Sequence, residues 1–247
     1  VASISEGDSM SGNEYLAEYD RAIPTDLSRG IGGYLRARLD AKARALGQRD
    51  RHALFLPRAL EVCGMRNEQP LIIMEIGCGN GGAISYKHPS IRYVAVDIGP
   101  YFRDALEQDG IEFIEANVEH DKITRPDGSV DLIMLNHLIE HVSNSDGLAR
   151  ELRRLTKPGG GVVYIRTPNV ERVKWRFFDD YTHIKPFTVN GLHQLMCAHG
   201  FERRCVLYSD HARINLDILT NGKFRDVMCG QMFGGKEIEA VYVRKAG

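Results

Sequence analysis

The 247-residue chain has no apolar run approaching the ~18–20 residues that a membrane-spanning helix needs. It also lacks an excess of charge of either sign. Its 32 Lys+Arg face 33 Asp+Glu, a formal net charge of −1, and so the whole-domain basic footprint of a dedicated nucleic-acid binder is absent. The 5 cysteines, Cys63, Cys78, Cys197, Cys205 and Cys229, are odd in number, widely spaced and without a C-x-x-C pair. That argues against a disulfide framework and a thiolate zinc site, and for a reducing compartment. The opening VASISEGDSMSGNEY shows neither the charged nor the apolar region of a secretory signal, so a cytoplasmic location is expected. No internal repeat, low-complexity tract or inter-domain linker is visible. At 43% hydrophobic and 26% charged residues the composition is that of a globular protein. A chain of this length buries about 70–75% of its unfolded surface and needs no staple.

Residues 1–13 are rich in Ser, Gly and acid and read as a frayed start. Residues 14–66 read as helices, with Tyr34, Leu35 and Leu39, and further on Leu54, Leu60 and Val62, at helical spacing. Pro24 and the stretch Gly30–Gly33 punctuate them. From residue 67 the pattern changes to short apolar runs: LIIMEI at 71–76, IRYVAV at 91–96, 111–114, 130–135 and GVVYI at 161–165. Helical stretches at 101–109 and 146–156 lie between them. Runs alternating with helices indicate βαβ units and a parallel sheet buried on both faces. At the end, 201–209 and 238–244 are β-rich, with no helix-length periodic stretch between them, and read as an antiparallel hairpin at the sheet edge. The expected organisation is an N-terminal helical extension over 1–66 and one α/β domain over 67–247.

The strongest local signal is M-E-I-G-C-G-N-G-G at 74–82. A strand runs into a loop whose glycines allow positive φ and close approach of a ligand. A helix is expected to follow, with unpaired N–H groups at its start. Gly77, Gly79 and Gly82 satisfy G-x-G-x-x-G, and Asp97 ends the next strand about 20 residues on, which also describes a dinucleotide site. Any ligand with an adenosine half suits this geometry. Glu75, two residues before the first glycine, departs from the apolar residue usual in nicotinamide sites and suits a ligand carrying an ammonium group. Two more segments stand out: NHLIEHV at 136–142, after the fourth run, and LTKPGG at 155–160, before the fifth.

Together MEIGCGNGG, VAVDIGP, VDLIMLNHLIEHV, LTKPGGGVVYI and GFERR, in this order over about residues 68–208, resemble the class I S-adenosylmethionine-dependent methyltransferases. The resemblance implies a Rossmann-like sheet of seven strands, the last antiparallel and inserted beside the fifth, with helices on both faces. It implies S-adenosyl-L-methionine as methyl donor and S-adenosyl-L-homocysteine as product. It places Gly77, Cys78, Gly79, Asn80 and Gly81 under the methionine half of the cofactor, and Glu75 near its amino group. Asp97 takes the ribose hydroxyls, Ile98 the adenine face, and Asn117 and Val118 the adenine edge. Asn117 stands where the family commonly has Asp. Asn136 and His137 border the reactive methyl.

Methyl transfer needs alignment and exclusion of water, and a base only for a weak nucleophile such as a hydroxyl. The base candidates are His137 and His183, with Asp180 beside the latter. His137, Glu140 and His141 are expected to begin the helix after the fourth strand and to share one face at i, i+3, i+4. Asp180 and His183 fall on a long loop at the carboxyl edge of the sheet, in FFDDYTHIKPFT at 177–188. This segment resembles a pattern in members acting on sugars, lipids and quinone precursors, and some members linked to surface-glycan assembly. Thr188 is the expected N-cap of the next helix. Glu140, His141 and His183 are donors able to hold a divalent ion. Because His137 stands where metal-dependent relatives commonly carry Glu, no resident metal is expected. The basic clusters Arg36, Arg38, Lys42, Arg44 and Arg172, Lys174, Arg176 read as solvated faces, or as contacts for an anionic acceptor. Tyr19, Arg36 and Arg38 are further candidates for the acceptor pocket.

The leading expectation is therefore O-methylation of a small molecule or a sugar unit. N- or C-methylation is the nearest alternative. Metal-assisted RNA 2′-O-methylation, an NAD(P)-binding oxidoreductase and a silent binding subunit stand behind it. Sequence gives no oligomeric state.

Overall fold

The central runs of one seven-stranded sheet are apolar on both faces and must be covered twice, while the edge runs at 112–115 and 201–209 are more polar. The structure, a computed structural model, describes residues 31–48, 51–66, 70–82, 86–223 and 235–246. The strands are β1 (Leu71–Ile76), β2 (Ile91–Asp97), β3 (Glu112–Glu115), β4 (Leu132–Asn136), β5 (Val162–Pro168), β6 (Phe201–Ser209) and β7 (Glu237–Arg244), in the order β3-β2-β1-β4-β5-β7-β6. β1 to β5 are parallel, and β7 runs antiparallel between β5 and β6. The expected seven-stranded Rossmann-like sheet with a reversed last strand is what the chain forms.

The helices are α1 (Ile31–Ala45), α2 (Phe55–Val62), α3 (Arg103–Gln108), α4 (Ser145–Leu155), α5 (Val170–Val173), α6 (Val189–Ala198) and α7 (His211–Leu219), with 3-10 turns at Arg51–Leu54, Ile139–His141 and Lys174–Asp179. The period-two alternation of each strand divides the core. Ile73, Ala95, Met134, Tyr164 and Val241 face α1, α2 and α7, through Leu39, Leu56, Ala59 and Ile214. Met74, Val94, Ile133, Val163 and Ala240 face α4 and α6, through Leu148, Leu152, Leu192 and Met196.

A buried ion network fastens the N-terminal helices to the far side of the sheet. Arg58 of α2 donates to Asp217 of α7 at 2.8 Å and to Glu239 of β7 at 2.5 and 3.1 Å, and Tyr164 donates to the same Glu239 carboxylate. Burial would push the Glu239 carboxyl up, but the Arg58 guanidinium and its hydrogen bonds hold it below the usual carboxylate range.

Four local expectations are corrected. First, α7 stands between β6 and β7, which are therefore not a simple hairpin. Ile214, Leu216 and Ile218 alternate with polar residues and mimic a strand, while the decisive signal is the cap, Asp210 accepting from Arg213 N at 3.0 Å. Second, the described part of the connection 77–90 contains no helix after the glycine loop. Third, Gly32 and Gly33 lie inside α1 and do not break it. Fourth, residues 139–141 form a 3-10 turn; the helix begins only after Asn144, whose side chain accepts from Gly147 N at 2.9 Å. Residues 1–13, Pro24, Tyr19 and Cys229 lie outside the described residues.

Candidate active site at the carboxyl edge of the sheet

Strand parity lines up polar residues at one end of one face. Glu75, Asp97, Asn136 and Arg166 continue the side-chain rows of Ile73, Ala95, Met134 and Tyr164. Antiparallel β7 enters the same edge with Glu237, opposite Pro168. The 3-10 turn before α2 reaches this end too: a Cβ on Gly82 would meet the His52 side chain at 3.2 Å.

Within the loop, Gly77, Gly79 and Gly81 all have positive φ. At Gly77 (φ +74) an added Cβ would also lie 2.9 Å from Leu138 Cδ1, so only glycine fits there. Asp97 ties the loop down, accepting from Gly79 N at 2.9 Å through Oδ2 and from Ile98 N at 2.8 Å through Oδ1. Asn80 accepts from Gly82 N at 3.1 Å and shapes the turn. Burial pushes the Cys78 thiol far up, so it packs as an inert small residue.

Glu75 is buried, with Oε1 accepting from Asn136 Nδ2 at 2.6 Å. Glu75 Oε2 and Asn136 Oδ1 are buried and have no hydrogen-bond partner. Burial raises the Glu75 carboxyl to about 7, against the lowering by Asn136 and with a further rise from nearby Asp97. Two orphaned acceptors beside a glycine loop fit a ligand that brings a cationic donor. Ile98 and Tyr101 are exposed at the end of β2, where an aromatic ring can lie on them. The Asn117 amide oxygen accepts from Glu119 N at 3.0 Å, so the side chain caps its own turn. Val118 packs against the core beside it.

On the other side of Asn136, His137 has φ +51, an uncommon conformation for a residue with a Cβ. It is bracketed by carboxylates, with Nδ1 3.2 Å from Glu140 Oε1 and Nε2 3.7 Å from Glu237 Oε1. Glu237 is held by Arg166 at 2.7 Å, and Glu140 accepts from Thr167 Oγ1 at 2.9 Å. His141 and His183 come together from different segments, ring centroids 4.8 Å apart, and Phe177 packs on His183 at 4.7 Å. Asp180 accepts from Thr182 N at 3.0 Å and from Thr182 Oγ1 at 2.6 Å. The Thr182 hydroxyl first, then Thr182 N and the neighbouring His183 and His141, together outweigh burial and hold its carboxyl below the usual range.

Comparison with known proteins agrees with this geometry. Residues 47–206 match the family model described as a methyltransferase domain. The chain belongs to the class I S-adenosylmethionine-dependent methyltransferases. This methyltransferase is 26% identical over 115 residues to the human thiol S-methyltransferase TMT1A, covering 44% of this chain and 47% of that protein. It is 29% identical over 102 residues to a malonyl-[acyl-carrier protein] O-methyltransferase of Paenibacillus sp. (strain JDR-2), covering 37% of each. It thus spans about half the length, or less, of these curated relatives. Among solved structures, a SAM-dependent methyltransferase from Archaeoglobus fulgidus superposes with TM-score 0.58 at 18% identity, covering 78% of this chain and 94% of that one. The [4+2]-cyclase SpnF superposes with TM-score 0.56 at 15% identity, covering 77% and 81%. A fold shared with a cyclase does not fix the reaction, which must be argued from the site. Among the described residues, no helix is long and apolar enough to cross a membrane.

Several residues of this methyltransferase's site escape sequence reasoning. Arg166 and Thr167 sit inside an ordinary strand run, Glu237 lies about a hundred residues from His137, and Thr182 acts through the loop it closes.

Proposed function

We propose that the protein transfers a methyl group from S-adenosyl-L-methionine to a hydroxyl oxygen of a small molecule, a sugar unit among them. When bound, the cofactor supplies an activated methyl on a sulfonium with a good leaving group. Asp97 accepts hydrogen bonds from the ribose hydroxyls. Glu75 and Asn136 receive the ammonium group, and Ile98 and Tyr101 cover the adenine. Asn117 reaches the adenine edge with less of its side chain to spare, since its amide oxygen already caps a turn. The described part of the N-terminal extension helps to bound the site, with His52 beside the loop.

On the acceptor side His137 takes the hydroxyl proton as the new O–C bond forms in line with the breaking S–C bond, whose electron pair stays on sulfur. The flanking carboxylates of Glu140 and Glu237 stabilise the imidazolium so formed. His183 and Asp180 order the loop that closes over the acceptor. The observation that carries the reading is the pair of orphaned buried acceptors, Glu75 Oε2 and Asn136 Oδ1, next to the Asp97-anchored glycine loop.

Titration calorimetry with S-adenosyl-L-homocysteine tests it. The native chain binds, and Asp97→Ala weakens binding about a hundredfold, the worth of one or two charge-assisted hydrogen bonds at about 1.5–3 kcal/mol each. An unchanged affinity in the variant would refute the site. A thiol acceptor is the second reading, favoured by the similarity to thiol S-methyltransferases; a thiol ionises near neutrality and asks less of a base.

A further inference from the structure

Three side chains from two separate segments end within reach of one ion. One donor atom from each of Glu140, His141 and His183 lies within 4.8 Å of the other two, with Glu140 buried and both histidines half-buried. The hydrogen bonds decide which ring nitrogen each histidine offers. His183 Nδ1 lies 2.6 Å from Phe177 O, and since a carbonyl only accepts, Nδ1 carries the hydrogen. His141 Nδ1 lies 3.2 Å from Thr182 O and 3.0 Å from Thr182 Oγ1. That hydroxyl spends its own hydrogen on Asp180 Oδ1 at 2.6 Å, so towards the ring it also accepts. Both rings therefore carry a hydrogen on Nδ1, so Nε2 is the nitrogen each offers to an ion, as in backbone-anchored metal-binding histidines.

Two further contacts point the same way. Asp180 Oδ2 stands 3.8 Å from His183 Nε2. That is too long for a hydrogen bond, and within a few tenths of an ångström of the roughly 3.3–3.6 Å between two ligands of a tetrahedral ion with bonds of about 2.0–2.2 Å. Behind the cluster, Thr167 Oγ1 and His137 Nδ1 orient the Glu140 carboxylate as outer partners.

We propose that Glu140, His141 and His183, with Asp180 as a fourth ligand, form a site for a divalent transition-metal ion of the zinc type. Two imidazoles and two carboxylates without a thiolate suit Zn²⁺, Co²⁺, Fe²⁺ or Mn²⁺ better than Ca²⁺, Mg²⁺ or Cu⁺. This reverses the expectation drawn from His137, because the histidine at that position supports Glu140 and leaves the other ligands in place. Glu140, which His137 contacts, would hold such an ion near the candidate base, where it would supply Lewis acidity to an acceptor oxygen; that role rests on the methyl-transfer reading, whereas ion binding does not.

Co²⁺ titrated into the full chain is the probe, with visible d–d absorption as readout. Cys197→Ser in the background removes the exposed His193–Cys197 pair, 3.4 Å apart, as a competing donor. One Co²⁺ per chain is expected. His141→Gln and His183→Gln each weaken it about a hundredfold, and Asp180→Asn about tenfold, in line with metal-site substitutions generally. Melting curves of the metal-free variants verify that each is folded, and the exposed Asp180 carries the test should a histidine variant unfold. A band that fails to saturate by about 1 mM Co²⁺, or one unmoved by these substitutions, overturns the site. Calorimetry with S-adenosyl-L-homocysteine on the same samples separates the two claims. Cofactor binding without Co²⁺ refutes the metal site alone, and Co²⁺ binding without cofactor refutes the methyltransferase reading alone.

Discussion

The two halves of the sheet's carboxyl edge are built differently. The β1–β2 half takes Glu75, the glycine loop and Asp97 from a span of about 20 residues, and apart from Asn136, which reaches Glu75 from β4, its contacts are local: Asp97 to Gly79 N, Asn80 to Gly82 N. The β4–β5–β7 half draws His137 and Glu140, then Arg166 and Thr167, then His183, then Glu237, and joins them through long-range contacts such as Arg166 to Glu237. A donor site shared by many reactions can be held in one short segment. An acceptor site has to be assembled from loops that vary separately.

The sharpest way to break this comparison is to damage one half and look at the other. His137→Asn keeps a residue that tolerates φ near +51 while removing the base. Loss of a general base lowers kcat by about 10²–10⁴-fold, with the affinity for S-adenosyl-L-homocysteine unchanged. Full turnover in this variant would move the reading to N-, C- or S-methylation.

Arg58→Met attacks the brace beneath both halves. It leaves Glu239 and Asp217 buried without their guanidinium, which costs about 3–5 kcal/mol. At roughly 2–4 °C per kcal/mol for a chain of this size, the melting temperature falls by about 10 °C. Arg58→Met together with Glu239→Gln recovers part of that loss. If the single variant melts like the native chain, α2 is not fastened to the sheet in the way described.

The donor half has a pH signature of its own. Burial raises the Glu75 carboxyl from 4.5 to about 7, so between those values the folded chain holds a proton that the unfolded chain has released. The stabilising contribution is complete below pH about 4.5 and is lost as pH rises through 7, amounting to about 3 kcal/mol. A cationic ligand favours the ionised carboxylate, so its affinity rises over the same window and its binding below pH 7 releases a proton. Calorimetry in buffers of different ionisation enthalpy reads that proton directly. Glu75→Gln abolishes the release, melts higher than the native chain at pH 8 and binds the cofactor more weakly. Proton release that persists in Glu75→Gln would assign it to another group.

How far the sequence could be read follows the same division. The strand runs were legible because apolar runs and turns are local patterns, whereas the place of the reversed β7 between β5 and β6 came only with the resemblance to the methyltransferases. The glycine loop and Asp97 were legible because their spacing is fixed by one strand–loop–strand unit. The helical register assumed for His137, Glu140 and His141 was not: the positive φ at His137 and the cap at Asn144 break it, and of these only the cap has a signal, Ser143-Asn144-Ser145-Asp146. α7 was hidden by its period-two alternation. The pairing of His141 with His183, and of His137 with Glu237, depends on tertiary contacts that no window of the chain contains.

Thr188 offers the mildest and most selective test. Its hydroxyl accepts from Gly191 N at 3.0 Å and caps α6, and Phe187 beside it bridges to Asn169, so the cap fixes the exit of the loop that carries Asp180 and His183. Thr188→Ala removes a cap worth about 1 kcal/mol. The glycine loop lies in a different segment and shares no contact with Thr188, so affinity for S-adenosyl-L-homocysteine should stay as it was. KM for the acceptor should rise as the loop loses its anchor. Equal weakening of cofactor and acceptor would mean that the two halves of the edge are mechanically one, and the contrast between a local donor site and an assembled acceptor site would not survive it.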